Sequence, residues 1–169
     1  MWYPVLGAPK VRLAPDTLVA FGRPKGYRGS YKQWEEENIP PQVVFEVLSP
    51  SNSVPEMIKK HAFYEKYGVE EFIIINPEIN QFYVWVRNNG QLKSIELKEG
   101  SWTSKKLGIH IKRDSKKEEL VVTYPDGRAF MDHIALHQMA EQERKEKEAL
   151  LAENERLKAK LRELGLLDE

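Results

Sequence analysis

The segment Val43-Val-Phe-Glu-Val-Leu48 constrains this chain more than any other. It follows Pro40-Pro41 and is apolar at every position but one, the pattern of a short buried strand. Glu46 interrupts it where Phe45, Val47 and Leu48 favour burial. A carboxylate in such surroundings is rarely free; it is paired, hydrogen-bonded or metal-bound. A second apolar strand, Thr17-Leu-Val-Ala-Phe21, is opened by Pro15-Asp16. Two carboxylates brought together at a sheet's edge make a hard oxygen site suited to Mg2+, one that activates water and neutralises charge on a phosphate. The plainer reading of the same residues is a Glu46 that faces solvent and a Pro-Asp turn.

Between these strands, residues 22–41 read as a polar loop, long enough to be functional or mobile. Arg23, Lys25, Arg28 and Lys32 alternate there with Tyr27, Tyr31 and Trp34, mixing phosphate-binding charge with stacking surface. A solvated basic loop closed by Glu35, Glu36 and Glu37 fits the pattern equally well. After Glu46, Ser53-Val-Pro-Glu56 forms a capping box that opens a helix running to about Tyr67, with Gly68 beyond its end. Lys60 falls in the second turn of this helix, where a cation can reach back toward the strand end. Its bland alternative is a surface pair with Glu56, four residues earlier. Lys59 is the rival lysine, but it points about 100° away around the helix.

Further strands are expected at Phe72–Ile75, Gln81–Arg87, Leu92–Leu97, Leu107–Ile111 and Leu120–Tyr124. Asn-Pro, Asn-Asn-Gly and Pro-Asp-Gly turns separate or end them. Phe82, Tyr83, Trp85 and Trp102 lie on strand patterns and read as core or sheet-face packing. The predicted fold is a mixed α/β sheet, with Asp16 and Glu46 on neighbouring strands and the helix of residues 53–67 packed across it.

From His133 to Leu164 the chain is helical in composition, without Gly or Pro. Leu136, Leu150, Leu157 and Leu164 share one heptad phase, interrupted by Glu143. Ala140, Lys147, Asn154 and Leu161 share the phase four residues on. Residues 145–164 are therefore expected to form a parallel two-stranded coiled coil and a homodimer, with Asn154 fixing register and Glu153 facing Lys158 of the partner helix. A helix packed on its own domain is the alternative.

Composition narrows the rest. Without cysteine there is no disulfide framework and no thiolate zinc site. His61, His110, His133 and His137 are scattered and form no ligand set. No apolar run approaches the roughly 20 residues of a membrane span, and no signal-peptide pattern opens the chain, so the default compartment is the cytoplasm. Net charge is zero; residues 1–130 lean basic and residues 131–169 acidic, too weakly to announce a nucleic-acid binder.

Pro15-Asp16-Thr-Leu-Val, Val-Val-Phe-Glu46-Val-Leu-Ser-Pro-Ser51, Lys60-His-Ala-Phe-Tyr64 and Gly68-Val69-Glu-Glu-Phe together resemble the Uma-two family of bacterial endonucleases. That family belongs to the PD-(D/E)XK restriction-endonuclease-like superfamily, and the resemblance covers residues 10–130. It implies a restriction-endonuclease-like mixed sheet with flanking helices in residues 1–130, followed in residues 131–169 by a charged helix of coiled-coil type. By resemblance, Asp16 and Glu46 are the metal carboxylates, joined by the Val47 carbonyl, and Lys60 is the catalytic lysine moved from strand to helix. The implied cofactor is Mg2+, or Mn2+ in its place, and the implied substrate is DNA. Three departures stand out. Leu48 occupies the position of the superfamily's usual lysine, and Asn76 stands where many relatives have Asp. The helical segment that relatives carry ahead of the Pro-Asp strand is almost absent, as in a chain that begins late or is shortened. The rival expectation is a non-catalytic DNA-binding or interaction module on the same fold.

Overall fold

A five-stranded sheet carries the fold: β2 (Thr17–Val19), β4 (Val43–Val47), β5 (Glu71–Asn76), β6 (Gln81–Asn88) and β7 (Gln91–Ser94), side by side in that order. The computed structural model describes residues 1–114, 119–130 and 133–163. β4 and β5 run parallel, and every other neighbouring pair in this sheet is antiparallel. The parallel pair needs a crossover, and α1 (Val54–Lys66) supplies it. A second sheet of β8 (Ser101–Thr103), β9 (His110–Asp114) and β10 (Glu119–Thr123) is antiparallel throughout.

Side-chain alternation builds two cores. Val44, Phe72, Ile74 and Leu92 pack on one face with Tyr64 of α1 and with Val69, Trp2 and Tyr31. Val43, Ile73, Phe82 and Val84 pack on the other with Ile109 and Ile111. The central strands are thus covered on both faces, which is why β4 and β5 read as nearly unbroken apolar runs.

Local chemistry sets the ends of α1. Ser53 has extended backbone, and its Oγ accepts the Glu56 N–H at 3.3 Å, closing the capping interaction. Gly68 ends the helix at φ +94, where a Cβ would meet Pro40 Cγ at 3.2 Å. Arg87 ties this end to the sheet, donating to the Glu65 carbonyl at 2.6 Å and the Val69 carbonyl at 2.8 Å. The expected Asn-Asn-Gly hairpin joins β6 to β7, with Asn89 at φ +50 and Gly90 at φ +83.

Residues 22–41 are not a polar loop throughout. They contain β3 (Tyr31–Lys32) and a 3-10 turn, Gln33–Glu35. β3 pairs in parallel with β1 (Trp2–Tyr3), setting Trp2 beside Tyr31. Both rings are buried: Trp2 Nε1 donates to Gln33 Oε1 at 3.2 Å, and the Tyr31 hydroxyl donates to the Ile39 carbonyl at 2.7 Å. Tyr31 is therefore core rather than stacking surface, because its ring completes the cluster beside α1. The strand expected from Leu107 begins at His110 instead, since residues 105–107 form a turn and Gly108 takes φ +71.

The chain divides into two units, Met1–Ala129 and Phe130–Glu169. The second holds α2 (His133–Glu163), whose 31 residues extend about 46 Å at the helical rise. Leu150 and Leu157 are 67% and 48% exposed. Lys145–Glu141 and Lys158–Glu155 ion pairs at 3.4 and 3.1 Å run along its surface. Leu164 and the Leu161 side chain, which complete the expected seam, lie outside the described residues. Among the described residues no helix is long and apolar enough to cross a membrane.

Candidate active site

Antiparallel pairing of β2 with β4 matches Thr17 to Phe45, and one step further brings Asp16 beside Glu46. Asp16 Oδ2 accepts the Val47 N–H at 2.7 Å, so the carboxylate caps the end of the β2–β4 ladder. Its Oδ1 takes no hydrogen bond among the described residues, and the residue is exposed. Glu46 is the opposite case, 1% exposed. Like Val44 it points to the α1 face, where two helix side chains meet it. Lys60 Nζ donates to Oε2 at 2.9 Å, and the Tyr64 hydroxyl donates to Oε1. Lys60 also lies 3.6 Å from Glu56, so the i,i+4 pair exists alongside the contact to the strand.

These neighbours shift one another's protonation. Burial pushes the Glu46 carboxyl above its ordinary value; the bonds from Tyr64 and Lys60 hold it back, and the Asp16 charge adds to the rise. Burial pulls the Lys60 ammonium down, but the bond and charge of Glu46, with Glu56 and Asp16 behind them, leave it net above its ordinary value. Burial and the bond to Glu46 push the Tyr64 hydroxyl far above the usual phenol range, so it remains a hydrogen-bond donor.

The fold brings together Asp16, Glu46 and Lys60, the three candidates in the sequence. Tyr64 belongs to the same motif as Lys60, and the sequence alone gives it no role. The available signal was spacing: Tyr64 follows Lys60 by four residues and so shares its helix face. The donors present suit a hard divalent cation, with one accessible carboxylate oxygen on Asp16 and a second carboxylate whose oxygens each keep a free lone pair. Among the described residues no cluster of three acidic, histidine or cysteine side chains forms a larger metal cage. Mg2+ is usually held by one or two carboxylates with water completing the shell, so two suffice.

The model of the family described as "Uma2: Putative restriction endonuclease" matches residues 4–112. The chain belongs to the Uma2 family. The Uma2 match includes Asp16, Glu46, Lys60 and Tyr64 and ends within β9, ahead of α2. No curated protein matches the chain. A solved structure described as "a putative nuclease belonging to DUF820", from Anabaena variabilis, is 18% identical, with 40% of this chain and 37% of that chain covered and a TM-score of 0.33.

In this Uma2 chain the basic loop is largely neutralised from within. Arg23 pairs with Glu37 at 2.8 Å, Arg28 with Glu36 at 2.6 Å and Lys32 with Glu35 at 3.0 Å. Lys25 is exposed and has no ion pair among the described residues, and Tyr27 beside it is almost fully exposed. Asn76 Oδ1 accepts the Glu78 N–H at 3.1 Å, so this departure from the family pattern serves a turn. A groove of about 450 Å³ lies over β5 and β6, lined by Met57, Ile58, His61, Phe72, Tyr83 and Trp85 among others. It is apolar, and Asp16, Glu46 and Lys60 are not part of it.

Proposed function

We propose that this chain is a Mg2+-dependent endonuclease that hydrolyses DNA phosphodiester bonds, with Mn2+ able to replace Mg2+. The observation that carries the reading is the contact of Lys60 with Glu46: a helix lysine reaches the strand carboxylate although Leu48 occupies the usual lysine position. Family membership supports the same chemistry. Asp16, Glu46 and the Val47 carbonyl would hold the ion. When bound, Mg2+ lowers the pKa of a coordinated water and neutralises phosphate charge. Lys60 keeps its proton and offers an ammonium to the non-bridging oxygens of the scissile phosphate, stabilising the charge that grows there. Glu46, shielded from solvent, holds Lys60 in place before substrate arrives.

Arg23, Lys25, Arg28 and Lys32 would meet the DNA backbone. Lys25 offers its charge directly, whereas the other three exchange a glutamate for a phosphate. The protein acts in the cytoplasm as a homodimer joined through its C-terminal helix, a use for two sites where both strands are cut.

Incubation of supercoiled plasmid with wild type and Asp16→Asn, in Mg2+, Mn2+ or chelator, tests the reading. Nicked and linear products are expected from wild type with either ion, and neither from the variant nor in chelator. Cleavage that survives chelator contradicts it. DNA affinity retained without any cleavage or Mn2+ binding would favour a non-catalytic binding module.

A further inference from the structure

We infer that Tyr64 is a positioning residue for Glu46: its hydroxyl fixes one carboxylate oxygen so that the carboxylate is aimed at the Asp16 side of the site. This rests on the metal-site reading above and extends it to a residue which that reading leaves without a role.

The two donors to Glu46 differ in kind. Lys60 ends a long, rotatable stem and has a second carboxylate, Glu56, at 3.6 Å, so it can exchange partners. Tyr64 cannot. Its side chain is fully buried, its ring lies parallel to Trp2 with centroids 6.3 Å apart, and Phe72 packs against it at 5.0 Å. Its backbone is held as well: the Tyr64 carbonyl accepts the Val69 N–H at 3.1 Å, and Arg87 clasps the adjoining Glu65 carbonyl. The hydroxyl therefore has one place to be, and Glu46 Oε1 is there. A carboxylate anchored through one oxygen by a rigid donor keeps its orientation when a mobile donor leaves the other. Partners of this sort, bound to a ligand rather than to the ion, alter metal affinity about 10- to 100-fold when removed.

Mn2+ titration, followed by electron paramagnetic resonance of the free ion, tests this on the full chain. Three proteins are compared: wild type, Tyr64→Phe and Phe82→Leu, each with a thermal melt. Tyr64→Phe keeps every ring contact and removes only the donor. Phe82→Leu loosens the core on the other face of the sheet and leaves the cluster around Tyr64 intact. The expected result is Mn2+ binding weakened about 10-fold in Tyr64→Phe and unchanged in Phe82→Leu, although the latter melts at a lower temperature. Equal affinity in wild type and Tyr64→Phe overturns the positioning role alone. So does an equal weakening in Phe82→Leu, which would assign the effect to a general loss of stability. A wild type that binds no Mn2+ overturns the metal-site reading and this inference with it.

Discussion

Glu46 and Glu71 are equally buried, and their partners separate what they do. Glu71 lies on the other face of the sheet, where its carboxylate accepts from the Ser104 hydroxyl, the Lys105 N–H at 2.9 Å and the Lys106 N–H at 3.2 Å. Two of those donors are backbone and none carries charge, so Glu71 pins the turn of residues 105–107 to β5. Glu46 faces a phenol held in place, an ammonium able to change partners and a neighbouring carboxylate. Glu71→Ala should cost about 1–3 kcal/mol of stability by leaving buried donors unmet, and should leave Mn2+ binding unchanged. Urea melts and Mn2+ titration check both halves; loss of Mn2+ binding would make Glu71 part of the site. At this scale the sequence was legible where a charge broke an apolar run, as Glu46 does. Glu71 opens its strand just after a helix end and reads as an ordinary boundary charge. Tyr64 was hidden for another reason: most of it is core, and only the hydroxyl is functional.

Among the elements, α1 matters most because it carries both donors to Glu46. Its N-terminus depends on Ser53, and Ser53→Ala should lower stability by about 1 kcal/mol through loss of the cap, measured as a shift in the urea midpoint. An unchanged midpoint would mean that water or Asn52 replaces the Ser53 oxygen. The signals for α1 were local: serine and glutamate three apart, a proline in the first turn, a glycine just past the end. The hairpin at Asn89-Gly90 was legible for the same reason. β1 and β3 were not. Their pairing joins Trp2 to Tyr31 across a long stretch of chain, and two-residue strands leave no alternation to detect. The polarity of residues 22–30 also masked the buried tyrosine that follows them.

For the whole molecule, dimerisation through residues 145–164 remains a proposal, and mass decides it. With Leu150 and Leu157 exposed on α2, a partner helix has apolar surface to cover, but the seam is short. The dissociation constant is expected on the order of micromolar, and truncation after Asp132 should weaken the dimer. Sedimentation showing monomer at about 100 μM would contradict it, and a truncated chain that dimerises undiminished would move the interface into residues 1–130. Near residue 130 the composition changes, as charged helix-forming residues without Gly or Pro replace the strand and turn patterns. The most direct test of the nuclease site is the plasmid cleavage rate of wild type, Glu46→Ala, Lys60→Ala and the double variant under identical Mg2+. Side chains that act as one unit lose activity together rather than additively. Each single variant should therefore fall at least about 100-fold, with the double variant no lower. Cleavage equal in all four proteins, or losses that multiply in the double variant, would contradict a site in which Lys60 and Glu46 work as one.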